Sequence, residues 1–455
     1  MKKFEKIILA FLIVILSIVY IFFKINNLIL LMKLTVLLIY ILLILVSYLK
    51  NQIITFLFLG ALFLFQYGRC ILLPLFGYEI EMTWFYYTKF SLETDIFVTN
   101  LLFINLIGVC IGNLLPIPQI KMKGKLSFES EKKIIFIFIF LTIAFYFKSS
   151  FEIINFLKKI SYNDFYKIGV YNINKSNIIE KVCYNIYFFS ILFGLSLKNL
   201  SKSNKIILIL LNIINTFLIA LRGTRAVFIA AICFSVWYLI KEKVLKINIK
   251  KLFLIGGIIF ILIVGLENLR ENKKFILNSF SVSKIVERVL YSQGVTGTYL
   301  CLLKEEPQIF KKDKIPFIFS SLIGLRLKSQ TKEDYNKIMS SQNVVLAEKI
   351  SASLNKEMYL DGNGMGGNYI IEMYDFGEKI GILFFSAALI VFFNFIDKNY
   401  NNFIWIIRAF LLFLIPKLFL IPRCNYFIYF PFLEIIEFLF VYFLITISTK
   451  ILKKI

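Results

Sequence analysis

The chain contains no histidine. That absence excludes imidazole bases, Ser-His-Asp triads and histidine-ligated metals together. It leaves proton transfer to Asp, Glu, Tyr, Lys or Arg. The six cysteines (Cys70, Cys110, Cys183, Cys233, Cys301 and Cys424) are scattered, with no CxxC pair. They indicate neither a zinc site nor a disulfide framework and read as small apolar residues of membrane helices. No metal or cofactor is expected. The carboxylates in the most suggestive setting are Glu372 and Asp375. They follow Gly362-Asn363-Gly364-Met365-Gly366-Gly367-Asn368, with four glycines in six residues. Glycine there permits positive φ and close approach of backbone to a ligand. The run 369–376 is expected to form a helix with both carboxylates on one face. A glycine-rich turn feeding a helix can bind phosphate, but the GxxxxGK[ST] pattern is missing, so no nucleotide site is inferred.

Arginine is much rarer than lysine, and its placement is not random. Arg222 and Arg225 lie in Leu-Arg-Gly-Thr-Arg, Arg423 in Ile-Pro-Arg-Cys-Asn, Arg69 late in an apolar run, and Arg270 just after Glu267. A guanidinium is a rigid fork of donors suited to phosphate or carboxylate. Snorkelling or pairing with nearby acids is the competing explanation. Glu434 and Glu437, three apart, are expected on one face of the last membrane helix at mid-depth. There they would pair with Lys417 or Asn212, be protonated, or relay protons. Lys24, Lys33 and Arg408 sit near span ends and are expected to snorkel.

The elements that must position these groups follow from composition. Hydrophobic residues make up 59% of the 455, against about 45–50% in soluble proteins, and mean hydropathy is +0.79. The excess of 52 basic over 28 acidic residues, +24 in all, lies in short lysine tracts between apolar runs. That is the pattern of a membrane protein orienting itself, not of a nucleic-acid binder. An all-α polytopic protein is expected, with about twelve spans near 7–23, 28–48, 53–73, 96–115, 134–147, 178–197, 206–221, 226–240, 252–269, 380–396, 403–420 and 425–447. The first resembles a signal peptide but lacks a small-residue cleavage site, and is read as a span. Loops 116–133, 198–205 and 241–251 carry five, three and five lysines, whereas 74–95 carries one against Glu79, Glu81, Glu93 and Asp95. The positive-inside rule then puts both termini in the cytoplasm. One integral membrane domain is expected over 1–455, with a large external loop at 270–379 between the ninth and tenth spans. Apolar stretches inside that loop suggest short helices lying on the outer face.

Taken together, Arg222-Gly223-Thr224-Arg225 opening a span, Ser292-Gln293-Gly294-Val295 early in the large loop, the run Gly362–Gly377 (GxGxGxxYIxExYxFG) and Pro422-Arg423-x-Asn425 resemble the O-antigen polysaccharide polymerases, the Wzy-type repeat unit polymerases of bacteria. The resemblance extends over most of the chain. It implies glycosyl transfer at the outer face of the bacterial cytoplasmic membrane, from a polyprenyl-diphosphate-linked glycan to a lipid-linked repeat unit. On that reading Glu372 is the first candidate base and Asp375 the second. Arg222, Arg225 and Arg423 form one anionic-substrate site, with Arg270, Gly364 and Tyr369 also on the substrate side. Trp84, Tyr86, Tyr87 and Tyr291 are candidates for stacking on sugars. The implied partners are the lipid-linked oligosaccharide, the bilayer, a flippase and a chain-length regulator. Two alternatives stand beside it. O-antigen ligases resemble one another around an external histidine that is missing here; a flippase or other transporter would show repeat symmetry, which is not visible.

The lysine counts generate a test. In a background freed of native cysteines, cysteines replacing Lys123 and Lys243 should resist an impermeant thiol reagent in intact cells, and one replacing Lys312 should react. The reverse labelling pattern would invert the topology.

Overall fold

In hydrocarbon a backbone amide has no water to bond, so apolar runs resolve as helices that satisfy their own peptide groups. The computed structural model describes residues 3–81, 89–120, 122, 129–157, 178–221, 225–245, 257, 282–310, 316–319, 335–336, 344–360, 366–427 and 432–453. Among them it contains helices and no strand, with one isolated bridge between Glu81 and Lys89. Seven helices among the described residues are long and apolar enough to cross a membrane: Ile8–Ile25, Ile29–Leu49, Ile53–Leu75, Leu92–Leu114, Lys202–Ala220, Tyr369–Asn402 and Glu434–Leu452. Helices Glu129–Leu157, Ile178–Leu195, Arg225–Lys241 and Trp405–Leu418 stand where further spans are expected. The expected span at 252–269 lies outside the described residues except for Gly257.

Two compact units divide the chain. The first comprises residues 1–118, 279–398 and 421–428. Its helix Leu92–Leu114 starts at Ser91, whose hydroxyl accepts from Thr94 N at 3.2 Å, with Glu93 and Asp95 in the first turn. Both features favour a helix start. Gly108 and Gly112 let this helix approach 379–399 closely: an added Cβ would lie 2.7 Å from Leu383 O and 2.6 Å from Ala387 O respectively. Small residues at such crossings are the membrane solution to helix packing.

Helix Tyr369–Asn399 is not a single rod. Gly377 and Glu378 leave helical geometry, Glu378 at φ +49° and ψ −132°. Ser386 Oγ lies 3.8 Å from Met373 Sδ, thirteen residues away, where a straight helix would separate them by about 20 Å. The Phe376 and Phe385 rings meet at 5.0 Å. The chain therefore reverses, and 369–376 lies back along the first turns of 379–399 as a re-entrant half-helix. It is helical with both carboxylates three apart, as the sequence suggests. It packs against the first turns of the span that follows it.

Lys33 and Arg408, expected to snorkel, are instead buried and paired with carboxylates. Lys33 Nζ meets Asp95 Oδ2 at 2.7 Å with its side chain 1% exposed, and Lys24 Nζ donates to Asn100 Oδ1 at 3.2 Å. The second unit comprises residues 119–278, 399–420 and 429–455. Within it, Glu242 takes Lys205 at 2.5 Å on one oxygen and Arg408 at 2.7 Å on the other. Arg408 also lies over the Tyr400 ring. The last helix runs Phe432–Leu452, so Glu434 and Glu437 occupy its first two turns and not its middle. Glu434 pairs with Lys417.

The Glu242 cluster sets a stability expectation. Glu242→Gln leaves two buried cations without their carboxylate and should cost about 3–5 kcal/mol, read as thermal unfolding of the detergent-solubilised protein. Disrupting the exposed pair Lys89–Glu79 should change stability by less than about 1 kcal/mol.

Candidate functional site

The third membrane helix holds a stretch that sequence periodicity does not announce. Residues Phe63–Leu72 are wound as a π-helix, a wider turn that is rare and recurs at functional sites. Each residue from 65 to 70 touches residues 290–297, Asn368, Pro422 or helix Leu92–Leu114. Phe65 O accepts from Thr296 Oγ1 at 3.2 Å. Gln66 Nε2 lies 2.7 Å from Pro422 O and 3.3 Å from Asn368 Oδ1. Tyr67 Oη reaches Leu102 O and Asn105 Oδ1. Gly68 faces Leu290, and Cys70 Sγ faces Gly297. Arg69 is 3% exposed. Its Nη1 donates to Tyr291 O at 2.7 Å, its Nη2 donates to Glu81 O, and its guanidinium stacks 3.9 Å from the Tyr291 ring centroid. Arg69 thus holds backbone carbonyls together and does not snorkel. Tyr291, a candidate sugar platform by sequence, is covered by it.

Three sequence motifs converge on this turn. Gln293 ends helix Val282–Gln293, and Gly294 leads into helix Val295–Glu305. An added Cβ at Gly294 would lie 2.5 Å from Arg69 Cβ. The second motif supplies Gly366, at φ +75°, and Gly367, whose amide donates to Arg423 O at 3.1 Å. Asn368 then caps the re-entrant helix: its Oδ1 accepts from Ile370 N at 2.9 Å, while its Nδ2 donates to Thr296 O at 2.7 Å. The third motif is the short helix Ile421–Arg423 and its continuation. Arg423 Nη1 donates to Gln293 Oε1 at 3.1 Å, and the guanidinium lies 5.7 Å from the Phe65 ring centroid. Among the described residues no carboxylate lies within ion-pair distance of Arg423.

Both carboxylates of the re-entrant helix are engaged. Glu372 is fully buried; its Oε2 accepts from Tyr426 N at 2.7 Å, and its Oε1 has no partner among the described residues. Asp375 is half-buried, and its Oδ2 accepts from Phe317 N at 2.9 Å. Tyr369 is buried, with its hydroxyl bonded to Asn105, which also donates to Ser386 Oγ at 2.7 Å. Tyr299 stands within reach of both Arg69 and Arg423, but burial holds its phenol above the ordinary range, so it stays protonated near neutral pH.

Of the residues singled out by sequence, Glu372, Asp375, Tyr369 and Arg423 come together in the first unit. Arg222, Arg270, Gly364, Trp84, Tyr86 and Tyr87 lie outside the described residues. Arg225 opens helix Arg225–Lys241, and its side chain is likewise outside them. Gln66, Asn105 and Asn368 were not singled out for a role. The available signal for Gln66 is an amide in an apolar run, which in a membrane span marks a bonded or functional position.

A family model described as O-antigen polysaccharide polymerase Wzy matches residues 4–455. No curated protein and no solved structure matches the chain.

The glycine contacts make a graded test. Gly294→Ala and Gly367→Ala each put a Cβ about 2.5 Å from Arg69 Cβ or Asn425 Oδ1, so each should cost about 1–3 kcal/mol in thermal unfolding. Gly60, with nothing within 4 Å of an added Cβ, should tolerate alanine or gain up to about 1 kcal/mol.

Proposed function

We propose, from the premise that this chain belongs to the O-antigen polysaccharide polymerase Wzy family, that it transfers a growing glycan from a polyprenyl diphosphate to a lipid-linked repeat unit at the outer face of the cytoplasmic membrane. The family carries the coarser statement: O-antigen polymerisation by a multi-pass membrane protein. The finer one rests on a single observation. Arg423 carries a charge with no carboxylate beside it among the described residues, on a turn tied by Gly367 N→Arg423 O and Tyr426 N→Glu372 Oε2 to the helix bearing the candidate bases.

The chemistry asks for two things. A sugar hydroxyl of the repeat unit attacks the anomeric carbon of the donor; the bond from that carbon to the diphosphate oxygen breaks, and polyprenyl diphosphate leaves. Negative charge grows on the leaving diphosphate, where a guanidinium fork stabilises it. Arg423 takes that part. The hydroxyl proton passes to a carboxylate, since no histidine exists. Glu372 suits the task because one oxygen is oriented by Tyr426 N while the other is unclaimed; the acceptor reaches it when the packing over it opens. Asp375 is the second choice. Arg222, Arg225 and Arg270 keep the substrate-side role assigned from sequence. In this reading the chain has about twelve spans, cytoplasmic termini and an outward 270–379 segment, and works with a flippase and a chain-length regulator. Transport is not favoured: Glu434, which with Glu437 could have relayed protons, is held by Lys417.

The measurement is the length distribution of surface polysaccharide at matched protein level. Arg423→Lys retains charge but not the planar fork, and should shorten the ladder; Arg423→Ala should reduce it to single repeat units. Glu372→Gln should lower the polymerisation rate about 10²–10⁴-fold. A normal ladder from Glu372→Gln with a lost one from Asp375→Asn would move the base to Asp375. Normal ladders from both Arg423 variants would remove the diphosphate assignment.

A further inference from the structure

Gln66 lies in the middle of a membrane run, fully buried. A side-chain amide in such surroundings is costly unless it is bonded. Its Nε2 points at two acceptors, Pro422 O at 2.7 Å and Asn368 Oδ1 at 3.3 Å. Because both are acceptors, reversing the amide would set oxygen against oxygen, so its direction is determined by its neighbours. One group therefore touches the residue immediately before Arg423 and also the cap of the helix that carries Glu372.

The same π-helical turn holds the other end of Arg423. Phe65 places its ring 5.7 Å from the guanidinium, and Phe65 O takes Thr296 Oγ1, which ties down the segment directly after Gln293 and Gly294. Gln293 Oε1 in turn accepts from Arg423 Nη1. Gly297 completes the fit: a Cβ there would lie 2.9 Å from Gln66 Cα. The residue before Arg423 and the face of its guanidinium thus meet residues 66 and 65, and Gln293, which accepts from one of its donors, lies three residues before Thr296, which is tied to Phe65 O.

We infer that Gln66 is a positioning residue that aims Arg423 at the anionic group of the lipid-linked donor. The inference rests on the reading that Arg423 binds the diphosphate. Recognition by a planar fork depends on orientation as well as charge, so releasing Pro422 O from Gln66 weakens binding although no cation is lost. Gln66 touches no substrate in this scheme; its effect passes entirely through Arg423.

A double-mutant cycle separates the two claims. The full-length protein in nanodiscs is titrated with undecaprenyl diphosphate, comparing wild type, Gln66→Met, Arg423→Ala and the double variant. Arg423→Ala should weaken binding at least about tenfold. Gln66→Met should weaken it by about tenfold in the wild-type background and by less than about twofold when Arg423 is already alanine. A loose fold would lower affinity by the same factor in both backgrounds, and that result overturns the inference. So does unchanged binding for Gln66→Met alongside weakened binding for Arg423→Ala, which leaves the diphosphate reading standing. Unchanged binding for Arg423→Ala defeats that reading and this inference with it. If Gln66→Met fails to accumulate, Gln66→Glu replaces it, since it preserves shape and removes both amide donors, and the same outcomes decide.

Discussion

A polar group in hydrocarbon has no water to fall back on, and leaving it unpaired costs several kcal/mol. In both units this constraint decides where the polar residues go. Lys33 is drawn to Asp95, and Glu242 gathers Lys205 and Arg408. In the first unit, Asn105 is pulled into a chain with Tyr67, Tyr369 and Ser386. Left unpaired in the protein interior, such groups would be costly. Each pairing also fixes the relative position of helices that share no sequence proximity, so the demand to satisfy polar groups doubles as the positional code of the bundle.

The site follows from the same rule applied to backbone. A helix that stops inside a protein exposes amides that need acceptors. The re-entrant segment 369–376 meets that need with Asn368 at its start, and Gly367 N finds Arg423 O just before it. The turn that carries Arg423 is in turn held by Gln66 from a neighbouring membrane helix and by Glu372 through Tyr426 N. The bonds that satisfy the broken helix therefore also tie the turn of Arg423 to the helix bearing Glu372. Lys33 and Arg408 meet carboxylates, whereas Arg69 meets backbone carbonyls and an aromatic face, and Arg423 meets an amide, an aromatic face and no carboxylate among the described residues.

Much of this was legible from local pattern. Absence of histidine excluded imidazole chemistry, apolar run length located most of the helices, and 369–376 was expected as a helix with Glu372 and Asp375 on one face. Charge placement was read less well. Snorkelling was the natural expectation for Lys33 and Arg408 because a span-end position looks the same in sequence whether the side chain reaches water or a carboxylate 62 or 166 residues away. Glu434 and Glu437 stand in the first two turns of the described helix Phe432–Leu452, and Glu434 meets Lys417, one of the two partners expected for the pair.

What the sequence determined by itself is the solvent and its consequences, because hydropathy and run length are local sums: a helical membrane protein and the approximate place of its helices, together with a chemistry without imidazole. The tertiary structure decided the rest. Nothing within 369–399 states that the chain reverses at Gly377 and Glu378; the reversal is stabilised by Met373 and Phe376 meeting Ser386 and Phe385. Nothing near Gln66 states that its amide will meet Pro422, 356 residues later. Periodicity reports which face of a helix is apolar, but the partner of a buried polar atom depends on packing between distant segments, and that information exists only once the chain has folded.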